Sequence, residues 1–106
     1  MRIGRFAADG QDRIGLFEAD SVIDVTPAFE SFADALSRPD EAKRYDGERF
    51  DPGEITHLPP VTGRSAVFCA ALNYRKHAEE SGRSVPERPY LFTKFARSLV
   101  GNGEPI

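Results

Sequence analysis

At 106 residues, with 40% hydrophobic and 29% charged residues, the chain has the composition of a folded protein of about one domain and excludes an intrinsically disordered one. Its formal net charge is -3, and the basic residues are scattered among acidic ones without forming a stripe, so nucleic acid is not an expected partner. No apolar run approaches the roughly 20 residues that span a bilayer, and Met1 to Phe6 has no apolar signal region, so no membrane association and a cytoplasmic location are expected.

The first 25 residues predict a small meander with strands over 2–7, 13–18 and 21–25 and turns at Asp9-Gly10 and Ala19-Asp20. Thr26-Pro27 then has the form of an N-cap followed by a first-turn proline. Phe29, Phe32, Ala33 and Leu36 recur at helical spacing, which predicts a short amphipathic helix ending before Pro39. Residues 39–53 are dense in charge and carry Pro, Gly and Asp, and read as a solvated connection with one helical turn. The prolines at 59 and 60 make 55–61 extended, and a boundary is placed there, giving a β-rich domain over 1–60 and a second over 61–106.

Residues 66–72, Ala-Val-Phe-Cys-Ala-Ala-Leu, form a continuous apolar run of strand length, which predicts a strand buried on both faces. Its cysteine, Cys69, is the single one in the chain, cannot form an internal disulfide, and reads as a small buried hydrophobe. Asn73 is placed to cap a helix over 74–81 that Gly82 ends in a left-handed conformation. A short strand over 89–94 and a turn at Gly101-Asn102-Gly103 follow. The turn lacks the Gly-Lys-Ser/Thr continuation of a phosphate loop. The fold class is therefore α+β.

On the helix, His77 and Glu80 are three residues apart and face the same side. A carboxylate beside an imidazole orients the ring and favours its protonated form, which suits a general base near neutral pH; the same spacing also suits a solvated pair with no chemistry. A polar helix opening directly after an apolar strand lies where α/β architectures gather ligands. Tyr74 is read either as a hydrogen-bond donor to a ligand or as a packing aromatic. Lys94 is read either as a group that stabilises an oxyanion or as a strand-end surface charge. Two histidines and one cysteine give no metal cluster of recognised spacing, and His57 is read as structural.

Residues 68–80, Phe-Cys-Ala-Ala-Leu-Asn-Tyr-Arg-Lys-His-Ala-Glu-Glu, resemble the signature that opens the catalytic domain of the fumarylacetoacetate hydrolase family. Residues 86–94, Pro-Glu-Arg-Pro-Tyr-Leu-Phe-Thr-Lys, then Ser98-Leu99-Val100-Gly101 and Pro105-Ile106, are similar to its next strand, its lysine and its Ser-to-Gly loop. Upstream, Ile3-Gly4-Arg5-Phe6, Arg13-Ile14-Gly15-Leu16 and residues 22–26 resemble the small N-terminal domain of many bacterial and archaeal members.

The resemblance implies a small meander with a short helix, followed by the first strand, helix and strand of a mixed β-roll, apparently cut short at Ile106. It implies His77 and Glu80 as a water-activating dyad on a lid helix, Lys94 as a contact to substrate oxygens, and Arg75 and Ser98 as contacts to a substrate carboxylate, which with Tyr74, read from its place on the helix, makes three substrate-binding residues. The implied chemistry is hydrolysis, lyase cleavage or isomerisation of short dioxo acids of the acylpyruvate or fumarylacetoacetate type, by a homodimer using Mg2+ or Mn2+ to stabilise an enolate. The metal's carboxylate ligands in the family lie beyond the Pro-Ile step, so no metal ligand is assigned here and the 106-residue chain is expected to be inactive by itself. Where many relatives have Gly before Leu-Asn-Tyr this chain has Ala71, expected to constrain the turn, and it has Phe95 where they have Pro. The other class is a non-catalytic binding or assembly module derived from the family.

Overall fold

The computed structural model describes residues 2–61, 63 and 65–106. The protein is α+β and divides into two compact units, residues 1–60 with 100–106, and residues 61–99.

In the first unit, β1 (Arg2–Ala8) and β2 (Gln11–Phe17) form a hairpin closed by Asp9 and Gly10. Both turn residues have positive φ, 51° and 73°, as a two-residue type I′ turn requires, and Asp-Gly is a pair that tolerates it. β3 (Val22–Asp24), β4 (Arg49–Phe50) and β5 (Thr56–Leu58) complete an antiparallel sheet in the order β4-β3-β2-β1-β5. Ile14, Leu16, Ile23 and Val25 pack with Phe29, Ala35 and Ala42 in one cluster, and Phe6, Ala8 and Val22 pack with Phe17, Phe50 and Ile55 in another. The Phe6 ring meets Phe17 and Phe50 edge-on at 6.2 and 5.4 Å, and Phe17 stacks on His57 at 5.3 Å. Beneath these contacts, Arg13 donates to buried Asp24 at 2.6 Å, and the other Asp24 oxygen accepts from the Thr26 N–H at 2.8 Å. The bond to Asp24 holds the Arg13 guanidinium above its ordinary pKa.

The helices differ from expectation. Residues 26–28 form only a 3₁₀ turn, and Phe29 is extended. The Thr26 hydroxyl is taken by a long-range bond from the Ile14 N–H at 2.8 Å, so it caps nothing. Helix α1 (Phe32–Ser37) instead starts at Ser31, whose hydroxyl accepts from the Asp34 N–H. This later start turns Ala35 to the core and leaves Ala33 and Leu36 exposed. The stretch read as a solvated connection contains a full helix, α2 (Pro39–Arg44), whose Ala42 is completely buried, and β4.

Residues 100–106 return to the first unit. The turn expected at Gly101 to Gly103 forms, with the Glu104 N–H donating to the Gly101 carbonyl and Gly103 at φ 89°. Gly101 runs so close to β5 that a Cβ there would sit 1.7 Å from the His57 carbonyl oxygen.

In the second unit, β6 (Ala66–Ala71) pairs antiparallel with β7 (Tyr90–Phe95) as a two-stranded ribbon joined through α3 (Arg75–Glu80). The expectation that β6 is buried on both faces is not met. Its residues alternate between exposed and half-buried, because a ribbon of two strands has no second layer on its outer face. Cys69 is half-buried for the same reason. Phe68, Tyr90, Leu91 and Phe95 are each more than 60% exposed, and Ala78 is the buried apolar residue of this unit among those described.

Candidate functional site

Strand β6 ends at Ala71, and the chain turns at Leu72, which has a φ of 51°. The turn constraint expected at Ala71 therefore falls one residue later. A leucine in the left-handed region has its Cβ crowded against its own carbonyl at a cost on the order of 1 kcal/mol. The Asn73 cap is not formed: α3 begins at Arg75 after Tyr74, without a side-chain cap bond. The far end is as expected. The Gly82 N–H donates to the Glu79 carbonyl and the Arg83 N–H to the Ala78 carbonyl, with Gly82 at φ 64°, which is a Schellman ending.

This strand, turn and helix carry most of the residues singled out from the sequence. His77 and Glu80 lie one turn apart on α3, on either side of buried Ala78, and both are exposed. Among the described residues, no hydrogen bond or ion pair joins their side chains; the His77 carbonyl accepts from the Ser81 hydroxyl and N–H. Tyr74 is 75% exposed and Arg75 opens the helix. Lys94 is exposed on β7, paired in register with Val67 of β6. Ser98 closes a short 3₁₀ turn, and its hydroxyl donates to the Phe95 carbonyl at 2.8 Å.

The unit also holds a cleft of about 470 Å³ lined by Ala71, Leu72, Arg83, Ser84 and Tyr90. Ala71 and Tyr90 are register partners, so the cleft sits where β6 ends and β7 begins. None of the residues assigned from the sequence lines it. Its polar groups went unread because Arg83 and Ser84 follow the helix and look like solvated loop; the available signal was a basic residue directly after a helix-ending glycine.

Among the described residues, no group of three or more His, Cys, Asp or Glu side chains could hold a metal ion. The described residues do not by themselves form a divalent-cation site.

The sequence profile described as fumarylacetoacetate (FAA) hydrolase C-terminal matches residues 66–106. The mitochondrial oxaloacetate tautomerase Fahd2a of Rattus norvegicus is 44% identical over 53 residues, which are 50% of this chain and 17% of that protein. The human mitochondrial oxaloacetate tautomerase FAHD2A is 46% identical over 48 residues, 45% of this chain and 15% of that protein. An uncharacterized protein of Archaeoglobus fulgidus is 32% identical over 104 residues, 98% of this chain and 34% of its own length. The chain thus spans about a sixth of the mitochondrial relatives and about a third of the archaeal one.

Proposed function

We propose that the chain, whose residues 66–106 match the fumarylacetoacetate hydrolase family model, is part of a hydrolase- or isomerase-type enzyme that moves a proton next to a carbonyl of a short oxo or dioxo acid. Residues 1–60 serve as the small N-terminal domain, and residues 61–106 open the catalytic mixed β-roll.

The observation that carries this reading is the order of groups within the matched segment: an imidazole and a carboxylate one helical turn apart on α3, then a lysine on the next strand. His77 accepts a proton from water or from the carbon next to the carbonyl, and Glu80 orients the ring and stabilises the imidazolium. Their side chains share no hydrogen bond among those described, and in this reading one forms when α3 closes on substrate, since catalytic contacts often tighten only in the complex. Lys94 offers a positive charge to the substrate's oxygens, with Tyr74, Arg75 and Ser98 as further binding groups. The rat and human relatives are oxaloacetate tautomerases by name, which favours keto–enol interconversion of a dicarboxylic oxo acid among the family's reactions. A divalent ion, Mg2+ or Mn2+, would supply enolate stabilisation, with ligands other than the residues described. The reading includes a cytoplasmic homodimer: the location rests on the sequence alone, and the dimer is supported by the exposed apolar side chains of the β6–β7 ribbon.

The same exposed ribbon favours a second reading, an assembly module without catalysis of its own. His77→Ala in the native gene product separates the two. A fall in tautomerase or acylpyruvate-cleaving rate of roughly 100-fold or more is expected for a lost general base; an unchanged rate overturns the catalytic reading.

A further inference from the structure

The cleft at the end of the ribbon is the one feature of the second unit that the dyad does not explain. The segment carrying α3 leaves the ribbon at Leu72 and comes back at Arg83, so both ends of the segment that holds His77 and Glu80 line the cleft walls. Arg83 is the charged residue among those lining it, and Ser84 and Tyr90 bring two hydroxyls.

Arg83 is also uncommitted. The ion pairs among the described residues all lie in the first unit, on Arg5, Arg13, Arg38, Lys43 and Arg49, and none involves Arg83. The described side-chain hydrogen bonds likewise leave its guanidinium without a partner, while its backbone N–H is fixed by the bond to Ala78. Its backbone is thus held by the Schellman ending while its fork of donors is left for a ligand.

The geometry points to Arg83, with Ser84 and Tyr90, as the anchor for the carboxylate of a small 2-oxo acid. A planar guanidinium matches a carboxylate in two parallel charge-assisted bonds, and two neutral hydroxyls complete a monoanion's needs. A phosphate dianion would call for a second positive charge, and among the described lining residues Arg83 is the one cation. About 470 Å³ lies within the usual range for small-ligand sites. An anion bound here ties the start and end of the α3 segment together and thereby fixes where His77 and Glu80 stand, which makes Arg83 a positioning residue as well as a binding one. The choice of a 2-oxo acid rests on the proposed function; the anion site itself does not.

The test is titration of the uniformly 15N-labelled 106-residue chain with pyruvate, and separately with inorganic phosphate, followed by amide chemical shifts. Pyruvate is expected to move Leu72, Arg83, Ser84 and Tyr90, and Arg83→Gln to weaken that response roughly tenfold or more, the size of one lost charged hydrogen bond. Arg88→Gln, at a basic position that does not line the cleft, should titrate as the parent does. Arg83 is exposed, so its replacement leaves the amide pattern of the β1–β5 sheet unchanged. Absence of shifts at these four residues, or an Arg83→Gln titration equal to the parent's, overturns the site. Phosphate binding as tightly as pyruvate overturns the oxo-acid assignment. Full activity in His77→Ala would overturn the catalytic reading and leave the pyruvate-induced shifts of the parent chain untouched, so failure of that reading is distinct from failure of the anion site.

Discussion

The two units use similar building materials in opposite ways. Residues 2–60 contain ten of the eleven buried apolar residues described, all but Ala78, and all the ion pairs described, so their apolar and charged side chains are largely satisfied by one another. Residues 61–99 contain aromatic and aliphatic side chains of the same kinds, yet present Phe68, Tyr90, Leu91, Phe92 and Phe95 outward and leave their cations unpaired among the described residues. A β ladder alone is marginally stable in water; burial of a face makes a sheet persist. The first unit is built to hold itself together, and the second is built to present groups.

The sharpest way to break this comparison is to truncate one aromatic ring in each unit. Phe6→Ala removes a fully buried ring that contacts two others and should cost about 4 kcal/mol in chemical denaturation. Phe95→Ala, at a ring 82% exposed, should stay within about 0.5 kcal/mol of the parent. Equal losses would mean that the ribbon face is covered in solution, and sedimentation of the parent would then report an oligomer. Next in size, Asp24→Ala takes the main partner from the half-buried Arg13 guanidinium, leaving it Glu48 at 3.4 Å, and removes the acceptor of the Thr26 N–H, for a loss of roughly 2 kcal/mol in the same assay.

Hydrogen exchange sharpens the contrast without mutation. Amides of β1 and β2 should be protected to near the global stability, while those of β6 and β7 should exchange through local opening with far lower protection. Comparable protection in both would show that the ribbon is as cooperative as the sheet. The smallest effect expected concerns pH. The bond from Arg38, then one from the Glu30 N–H, holds Asp34 below its ordinary 3.8, and Lys43 does the same for Asp40. Because folded values below unfolded ones stabilise only the ionised form, this contribution is complete above pH 3.8 and is lost as pH falls through the lowered folded values. A slight drop in thermal midpoint confined to that acid range, and smaller in Asp34→Asn, which keeps only the Asp40 part, is the outcome to look for.

What the sequence made legible divides along the same line. The β1–β2 hairpin could be read because Asp9-Gly10 meets a local demand, two consecutive positive φ angles, that few residue pairs meet. The helix ending at Gly82 was legible for the same reason. The start of α1 was not, because Thr26-Pro27 has the local form of a cap while its hydroxyl answers to Ile14, a neighbour across the sheet that no local reading reveals. The apolar run of β6 also misled: composition tells that a strand seeks cover, but not whether a layer covers it. At the candidate site, His77, Glu80 and Lys94 were found through the order of motifs along the chain. Arg83 was missed because its interest comes from the cleft formed by strand ends that lie apart in sequence, Ala71 and Tyr90.

The close passage of Gly101 against the His57 carbonyl has a consequence for how such a chain can change. Residues 61–99 leave one folded body and residues 100–106 rejoin it, so the intervening stretch is a polymer loop closed at both ends. Closing a flexible loop twice as long costs only about 0.6 kcal/mol more, so that stretch can gain or lose residues with little penalty to the sheet. Position 101 has no such freedom, since any side chain there would meet backbone at 1.7 Å and force the returning segment away. Variation in length can therefore accumulate between the two anchors, while the clasp that closes the loop depends on a single missing methyl group.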